Sequence, residues 1–139
     1  MPFKEGIALS SIKDLINSIK KLGDYMISTP KSEREIHLCL GIYLRMSGYE
    51  AAYVDKPVDF IVKLGRTEVP IEVKLNPSSE KLDDCIDNLY EDMKKKGWDK
   101  GILVVIDTTK SGKAFAEAER IKEKEKYGRK IHVVGVRFK

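Results

Sequence analysis

Glutamine is absent from this chain of 139 residues and asparagine occurs only three times, whereas lysine and glutamate are abundant. Proteins of hyperthermophiles are depleted in these thermolabile amides and enriched in lysine and glutamate. The composition therefore predicts a thermophilic source, although it says nothing about function.

Cysteine and histidine are too few and too scattered for a zinc site. The two cysteines, Cys39 and Cys85, each fall within an apolar helical pattern, and His37 and His132 lack the spacing of metal ligands. The pattern predicts small core residues in a reducing compartment rather than a disulfide framework.

Long apolar segments are also missing. No apolar run approaches the roughly 18 residues of a membrane-spanning helix, and the N-terminus has no signal-peptide pattern. Gly65 and Gly112 stand alone, so no glycine-rich phosphate loop supports an unrelated α/β domain that binds a small molecule. We expect a cytoplasmic protein without a membrane partner.

Length and charge set only broad limits. The 139 residues suffice for one domain with a single core, and we expect one domain over 1–139. The formal net charge of +4 comes from 26 basic and 22 acidic residues. That excess is too mild to indicate nucleic acid by itself.

The most informative feature is a pair of apolar runs that carry acids. Asp59 opens the first run, and Glu72 and Lys74 lie in the second, with a short turn at 64–67 between them. This pattern predicts a β-hairpin, and side-chain alternation places Glu72 and Lys74 on one face. Two carboxylates and an ammonium at one end of a hairpin suit Mg²⁺, with a lysine to steady an attacking water or phosphate charge.

The alternative is a solvated hairpin edge that merely ends in charged residues. Glu72 and Lys74 are flanked by Ile71, Val73 and Leu75, and such runs are usually buried on both faces. A buried acid or lysine needs a partner or a metal, which favours the functional interpretation.

Capping, turn and periodicity signals predict the element order α-α-β-β-β-α-β-α-β. The predicted helices are 11–22 closed by Gly23, 32–46, a helix capped at 76–79 and stopped by Gly97, and 111–127; the predicted strands are 50–54, 59–62, 69–75, 101–106 and 131–136. The continuous apolar run 101–106 is typical of a central strand buried on both faces. Crossovers after Lys74 and Asp107 predict that the later strands lie parallel beside the third.

The Asp59…Glu72-x-Lys74 motif, on two strands joined by a short turn, resembles the PD-(D/E)xK nuclease superfamily with its restriction-endonuclease-like fold. The order α-β-β-β-α-β is also the core order of that superfamily, and the resemblance covers roughly residues 32–107. It implies an α/β fold whose mixed central sheet is flanked by helices, with an N-terminal helix and a C-terminal αβ extension outside the core. In a stricter match to the motif, the residue directly before the aspartate is proline; here it is Val58.

This resemblance implies a metal-dependent DNA endonuclease, a hydrolase of phosphodiester bonds that uses Mg²⁺ or Mn²⁺. Asp59 and Glu72 would bind the metal, and Lys74 would orient water and offset phosphate charge. The small size and the E-x-K strand look most like archaeal Holliday-junction resolvases and small stand-alone endonucleases, which suggests structure-specific cleavage. The alternative is a catalytically inactive nuclease fold that serves as a nucleic-acid-binding or assembly module.

In this family a glutamate on the helix before the hairpin often completes the metal site, and Glu33 and Glu35 are the candidates. We favour Glu35, which lies in line with Cys39, Ile42 and Met46 on what we take as the apolar face. Ser32-x-x-Glu35 is also a capping box, in which the acid serves the helix end. Glu33 remains open because its Glu-Arg pair is similar to the start of the archaeal resolvases.

Two further expectations follow from the family. Relatives often carry glutamine and tyrosine on the helix after the E-x-K strand; Asn88 and Tyr90 occupy that region here, which argues against the exonuclease branches. Helix 11–22 carries an apolar stripe that packs on its own sheet or covers a two-fold partner. The resemblance to nucleases implies DNA as the partner. Because the family's endonucleases commonly act as dimers, we also expect a homodimer.

Overall fold

The computed structural model describes residues 11–138, which form helices on both faces of one sheet. The strands are β1 Glu50–Tyr53, β2 Phe60–Leu64, β3 Thr67–Leu75, β4 Lys100–Asp107, β5 Glu123–Lys126 and β6 Arg129–Arg137. The helices are α1 Ile12–Lys20, α2 Leu22–Tyr25, α3 Glu33–Met46, α4 Ser79–Lys96 and α5 Lys113–Ile121. The six-stranded sheet has the order β1-β2-β3-β4-β6-β5. The expected α/β class, with a mixed central sheet flanked by helices, is confirmed.

The predicted hairpin is formed by β2 and β3, which pair antiparallel from Leu64 and Thr67 to Phe60 and Ile71. Gly65 opens its two-residue turn with φ at 63°, a left-handed conformation that glycine adopts readily. β1 pairs antiparallel with the other edge of β2. The pairing of β2 with β3 ends at Ile71, but β3 continues to Leu75.

The later strands lie parallel to the third, as the crossovers predicted: β4 pairs with β3, and β6 pairs with β4. β4 is buried on both faces, which confirms it as a central strand. Its side chains alternate between two core clusters, with Ile102, Val104 and Ile106 in one and Leu103 and Val105 in the other.

Each face of the sheet has its own helices. α1, α2 and α3 cover one face, and α4 and α5 cover the other. Leu15 and Ile19 of α1 are fully buried, so the apolar stripe of α1 packs on the protein's own sheet rather than on a partner. Among the described residues, no helix has the length and apolar character to cross a membrane.

The first predicted helix ends earlier than expected. α1 stops at Lys20, and Gly23 lies inside the short helix α2 instead of closing α1. A Cβ at Gly23 would lie 3.5 Å from the carbonyl oxygen of Arg137. At this distance a Cβ would make an ordinary van der Waals contact, so Gly23 lies beside β6 as a residue of α2 and does not end a helix.

The predicted helix 111–127 is wrong beyond Ile121. Lys122 adopts a left-handed φ of 59°, and the next four residues form β5, which pairs antiparallel with β6. Tyr127 and Gly128 both have positive φ, at 53° and 75°, as a type I′ hairpin turn requires. β5 is exposed along its whole length, so backbone pairing at the sheet edge, rather than burial of an apolar stripe, sets its structure.

Asp107, at the end of β4, holds the start of α5 in place. Its buried carboxylate accepts hydrogen bonds from the Thr109 N–H at 2.8 Å, the Thr109 hydroxyl at 2.6 Å and the Phe115 N–H at 2.9 Å. Burial acts to raise the pKa of Asp107, but these hydrogen bonds and the charge of Arg137 outweigh it, so the pKa is lowered. A buried ionised acid is thus stabilised by the loop that it organises.

We expect Asp107→Asn to lower the free energy of unfolding by roughly 2 kcal/mol at neutral pH, because an amide replaces a charged acceptor of several hydrogen bonds. Since the folded-state pKa is lowered, this stabilisation is present above the unfolded-state pKa and is lost as pH falls through the folded-state pKa. The difference between wild type and variant should therefore shrink in acid. Urea unfolding at a series of pH values measures it.

Asp99→Asn is the matched control, because Asp99 is exposed and its side chain makes no hydrogen bond within residues 11–138. It should change stability by less than about 0.5 kcal/mol. A loss at Asp107 that is no larger than that at Asp99, or that persists unchanged in acid, would contradict this account.

Candidate functional site

Past the end of the β2 ladder, carboxylates accept the hydrogen bonds of the β3 amides. The Val73 N–H donates to Asp59 Oδ2 at 2.8 Å, and the Leu75 N–H donates to Glu33 Oε2 at 3.2 Å. The Asp59 N–H in turn donates to Glu72 Oε1 at 3.1 Å. Because backbone donors that lose a strand partner need another acceptor, three acids gather at this end of β3.

Asp59 is positioned by the residue before it. Val58 is fully buried in the cluster on the α4 side of the sheet, which anchors the chain where it enters β2. The Asp59 side chain is left 14% exposed. Since Phe60 pairs with Ile71, Asp59 lies next to Glu72 across the hairpin.

Lys74 shares a face of β3 with Glu72, as strand alternation predicted, and this face looks towards α4. Burial acts to lower the pKa of Lys74, but the surrounding acidic groups outweigh it and raise the pKa. Those groups are, in decreasing order of effect, Cys85, Glu33, Glu72 and Asp59. Lys74 is therefore an ammonium at neutral pH, within the field of all three carboxylates.

Glu72 is the group most perturbed by this crowding. Burial, followed by the negative charge of Asp59 and a hydrogen bond with its carboxyl group, raises the pKa of Glu72 to about 7. The charge of Lys74 opposes this shift but does not cancel it. Two carboxylates are thus held close together in a partly buried place, where one of them resists ionisation.

The structure brings Glu33, and not Glu35, to the hairpin. Glu35 is exposed and accepts a hydrogen bond from the Lys31 N–H at 2.9 Å, while its own N–H donates to Ser32 Oγ at 3.2 Å. Glu35 therefore serves the start of α3. The preference for Glu35 as the third acid is corrected in favour of Glu33, whose carboxylate reaches Leu75.

The error came from the choice of the inward face of α3. Leu40 and Leu44, which follow Glu33 at helical spacing, are fully buried, whereas Ile42 and Met46, which follow Glu35, are 49% and 73% exposed. α3 carries apolar residues on two faces, so periodicity alone does not tell which face meets the sheet.

His37 also belongs to this cluster, although its sequence position did not single it out. Its Nε2 lies 3.2 Å from Asp59 Oδ2, outside hydrogen-bond geometry, and has no other partner among the described residues. The imidazole packs against the rings of Tyr53 and Phe60, at centroid distances of 5.3 and 6.0 Å. The only local signal is its place four residues after Glu33, on the same side of α3.

The donor chemistry of the three acids fits a hard divalent cation, which takes carboxylate oxygens. Asp59, Glu72 and Glu33 each use one oxygen to accept a hydrogen bond from a backbone amide, which leaves the second oxygen of each to face a cation. A cation between Asp59 and Glu72 would also offset the repulsion that raises the pKa of Glu72. No group of three or more His, Cys, Asp or Glu side chains in this part of the chain stands ready at metal-binding spacing, so the side chains would have to turn towards the ion.

Comparison with protein-family models, curated proteins and solved structures finds no match for this chain. The chemistry of the cluster is therefore argued from its own residues.

We expect Glu72→Gln to make the metal-free protein more stable at about pH 8, by on the order of 1–2 kcal/mol when solvent screening at this half-buried position is allowed for. The folded-state pKa of about 7 lies above the ordinary 4.5, so the favourable contribution of Glu72 is present below the unfolded-state pKa and is lost as pH rises towards the folded-state pKa. Wild type should lose stability across that window, and the variant should not. Thermal and urea unfolding in EDTA measure the difference.

Glu91→Gln, an exposed position on α4, is the control and should leave the pH profile unchanged. An equal profile for Glu72→Gln and wild type would show that Asp59 and Glu72 do not repel each other in the folded protein.

Proposed function

We propose that this chain is a metal-dependent DNA endonuclease that hydrolyses a phosphodiester bond. The observation that carries the proposal is the gathering of Asp59, Glu72 and Glu33 at the end of the hairpin, with the Lys74 ammonium beside them. The single Lys74 ammonium only partly offsets the three acids, so a metal cation would stabilise them further, and a metal with a neighbouring lysine suits a phosphate substrate.

The acids are the proposed ligands of Mg²⁺ or Mn²⁺. Asp59 and Glu72 would hold the ion, and Glu33 would assist directly or through a water. When bound, a divalent ion supplies Lewis acidity towards the phosphate and the attacking water. The backbone hydrogen bonds from Val73 and Leu75 keep the carboxylates in place before any substrate arrives.

Lys74 would act as a fixed positive charge rather than as a base, because its pKa is raised. Its ammonium would donate a hydrogen bond that orients the attacking water, and it would offset negative charge that develops on the phosphate. Water then adds to phosphorus and one P–O ester bond breaks, which leaves a phosphate monoester and a free hydroxyl.

The second candidate is a nuclease-like domain without chemistry that binds nucleic acid or serves in assembly. The backbone hydrogen bonds favour this candidate, because each acid already accepts one. Completing the sheet in this way would account for the three acids without any metal. Carboxylates without a metal would repel DNA, which argues against it. Calorimetry with Mn²⁺ separates the two, because absence of binding at millimolar metal would favour the inactive domain.

Asp59→Ala and Lys74→Ala should each lower the rate of DNA cleavage by about 100- to 1,000-fold, the usual loss when a charge that stabilises the transition state is removed. Branched, duplex and single-stranded DNA with Mg²⁺ are the substrates. Lys95→Ala, on the exposed last turn of α4, controls for the loss of one positive charge. Cleavage that survives both site substitutions would sink the assignment.

Glu33→Gln and Glu35→Gln form a matched pair on the same turn of α3. Glu33→Gln should weaken Mn²⁺ binding and lower cleavage by at least about tenfold, because it removes the third acid from β3. Glu35→Gln should keep near wild-type activity, with a loss of stability of about 0.5–1 kcal/mol for its capping role. If Glu35→Gln instead weakens Mn²⁺ binding and cleavage while Glu33→Gln leaves both near wild type, Glu35 is the third acid.

A further inference from the structure

A groove of about 560 Å³ opens beside the candidate site, between α3 and β1. This volume falls in the range of about 300–1,000 Å³ that is typical of small-molecule sites. Its apolar and aromatic walls are Leu38, Ile42, Tyr53 and Phe60, and its charged walls are Arg34 and Arg45.

The walls are open to solvent. Leu38 is 61% exposed, Ile42 is 49% exposed and Tyr53 is 47% exposed. Together these three side chains form a partly exposed apolar surface beside the two arginines. It is the second apolar face of α3, the one that does not meet the sheet.

A glycine keeps the floor of the groove open. Gly41 lies in the middle of α3, where glycine destabilises a helix. A Cβ at this position would lie 3.2 Å from Cε1 of Phe60 and 3.6 Å from Nη2 of Arg45. Any side chain here would fill the space between an aromatic ring and a guanidinium.

Arg34 and Arg45 bring two positive charges to the walls of the groove. The acids in contact with its walls are Asp55, which accepts a hydrogen bond from the Tyr53 hydroxyl at 3.1 Å, and Asp59, which lies 3.2 Å from His37. Arg45 donates from Nε to the Ala51 carbonyl oxygen at 3.1 Å, which fixes its guanidinium at the wall. An occupant therefore needs an apolar, flat part and an anionic part together. A nucleotide has both, as a base and a phosphate, whereas an aliphatic protein surface leaves the arginines without partners.

The groove is continuous with the three acids. His37 lines it and approaches Asp59 to 3.2 Å. Phe60, which follows Asp59 in the chain, meets the ring of Tyr53 edge to face at a centroid distance of 5.4 Å. A nucleotide in the groove would be a near neighbour of the phosphate at the acids.

We propose that this groove binds an unstacked nucleotide of the DNA strand, with the base against Tyr53 and the phosphate towards Arg34 and Arg45. The substrate class that follows is DNA with unpaired bases beside the cleavage point, as at bulges, branches and single-stranded gaps, in preference to uninterrupted duplex. This inference rests on the proposed function only in assigning the groove's occupant to the strand that is cut.

The test is binding of bulged DNA that carries one 2-aminopurine in the bulge, with Ca²⁺ in place of Mg²⁺, so that a cation offsets the charge of the acids while hydrolysis is suppressed. Stacking on Tyr53 should quench the probe. Tyr53→Ala should abolish the quench and weaken binding of the bulge about tenfold, with the affinity for plain duplex little changed. Tyr127→Ala is the matched control, since Tyr127 is 80% exposed on the distant β5–β6 turn.

Arg34→Gln tests the phosphate contact separately. It should lower the slope of log affinity against log salt by about 0.7–0.9, the share of one phosphate contact. Arg66→Gln, at the exposed β2–β3 turn, is its control and should leave the preference for bulged DNA unchanged.

The proposal is overturned if Tyr53→Ala binds and quenches the bulge as wild type does, or if wild type shows no preference for the bulge. A dimer in sedimentation velocity that Tyr53→Ala dissociates, with no effect on DNA affinity, would assign the face to a second copy instead. A chain that cuts DNA but binds the bulge independently of Tyr53 refutes the groove alone. A chain that binds through Tyr53 but does not cut with Mg²⁺ refutes the nuclease proposal alone.

Discussion

The hydrogen-bond requirement of the last residues of β3 is the constraint from which the site follows. β2 pairs with β3 only as far as Phe60 and Ile71, yet β3 continues to Leu75 to pair with β4. Its outward amides at Val73 and Leu75 then lack a strand partner, and carboxylates from the start of β2 and from α3 replace it. The same bonds that complete the sheet therefore collect the acids.

This arrangement leaves an excess of negative charge at the end of the hairpin. Backbone hydrogen bonds hold Asp59 and Glu72 together in a half-buried position, where the negative charge of one raises the pKa of the other. Lys74 compensates only in part. On the proposed function, this excess of negative charge would favour a cation, and a cation beside a lysine would favour a phosphate.

α3 connects the two halves of the functional proposal because it is apolar on two sides. Leu40 and Leu44 attach it to the sheet, and this orientation turns Glu33 towards β3. The opposite side, with Leu38 and Ile42, is left outside as a wall of the groove. The helix orientation that brings Glu33 to the acid cluster is thus the same one that forms the groove next to it.

The sequence by itself determined the features that depend on near neighbours. Strand alternation was enough to place Glu72 and Lys74 on one face, and glycine and capping residues set the limits of the hairpin turn and of α4.

The tertiary structure decided what depends on contacts far along the chain. The third acid is Glu33 because one of two equally apolar faces of α3 met the sheet, and β5 is a strand because β6 offered its edge to a charged run without an apolar stripe. His37 joined the cluster for the same reason, since only the packing of α3 on the hairpin brings it to Asp59. Periodicity reports how a segment divides its own polar and apolar residues, but which side is buried is settled by the surface that it meets.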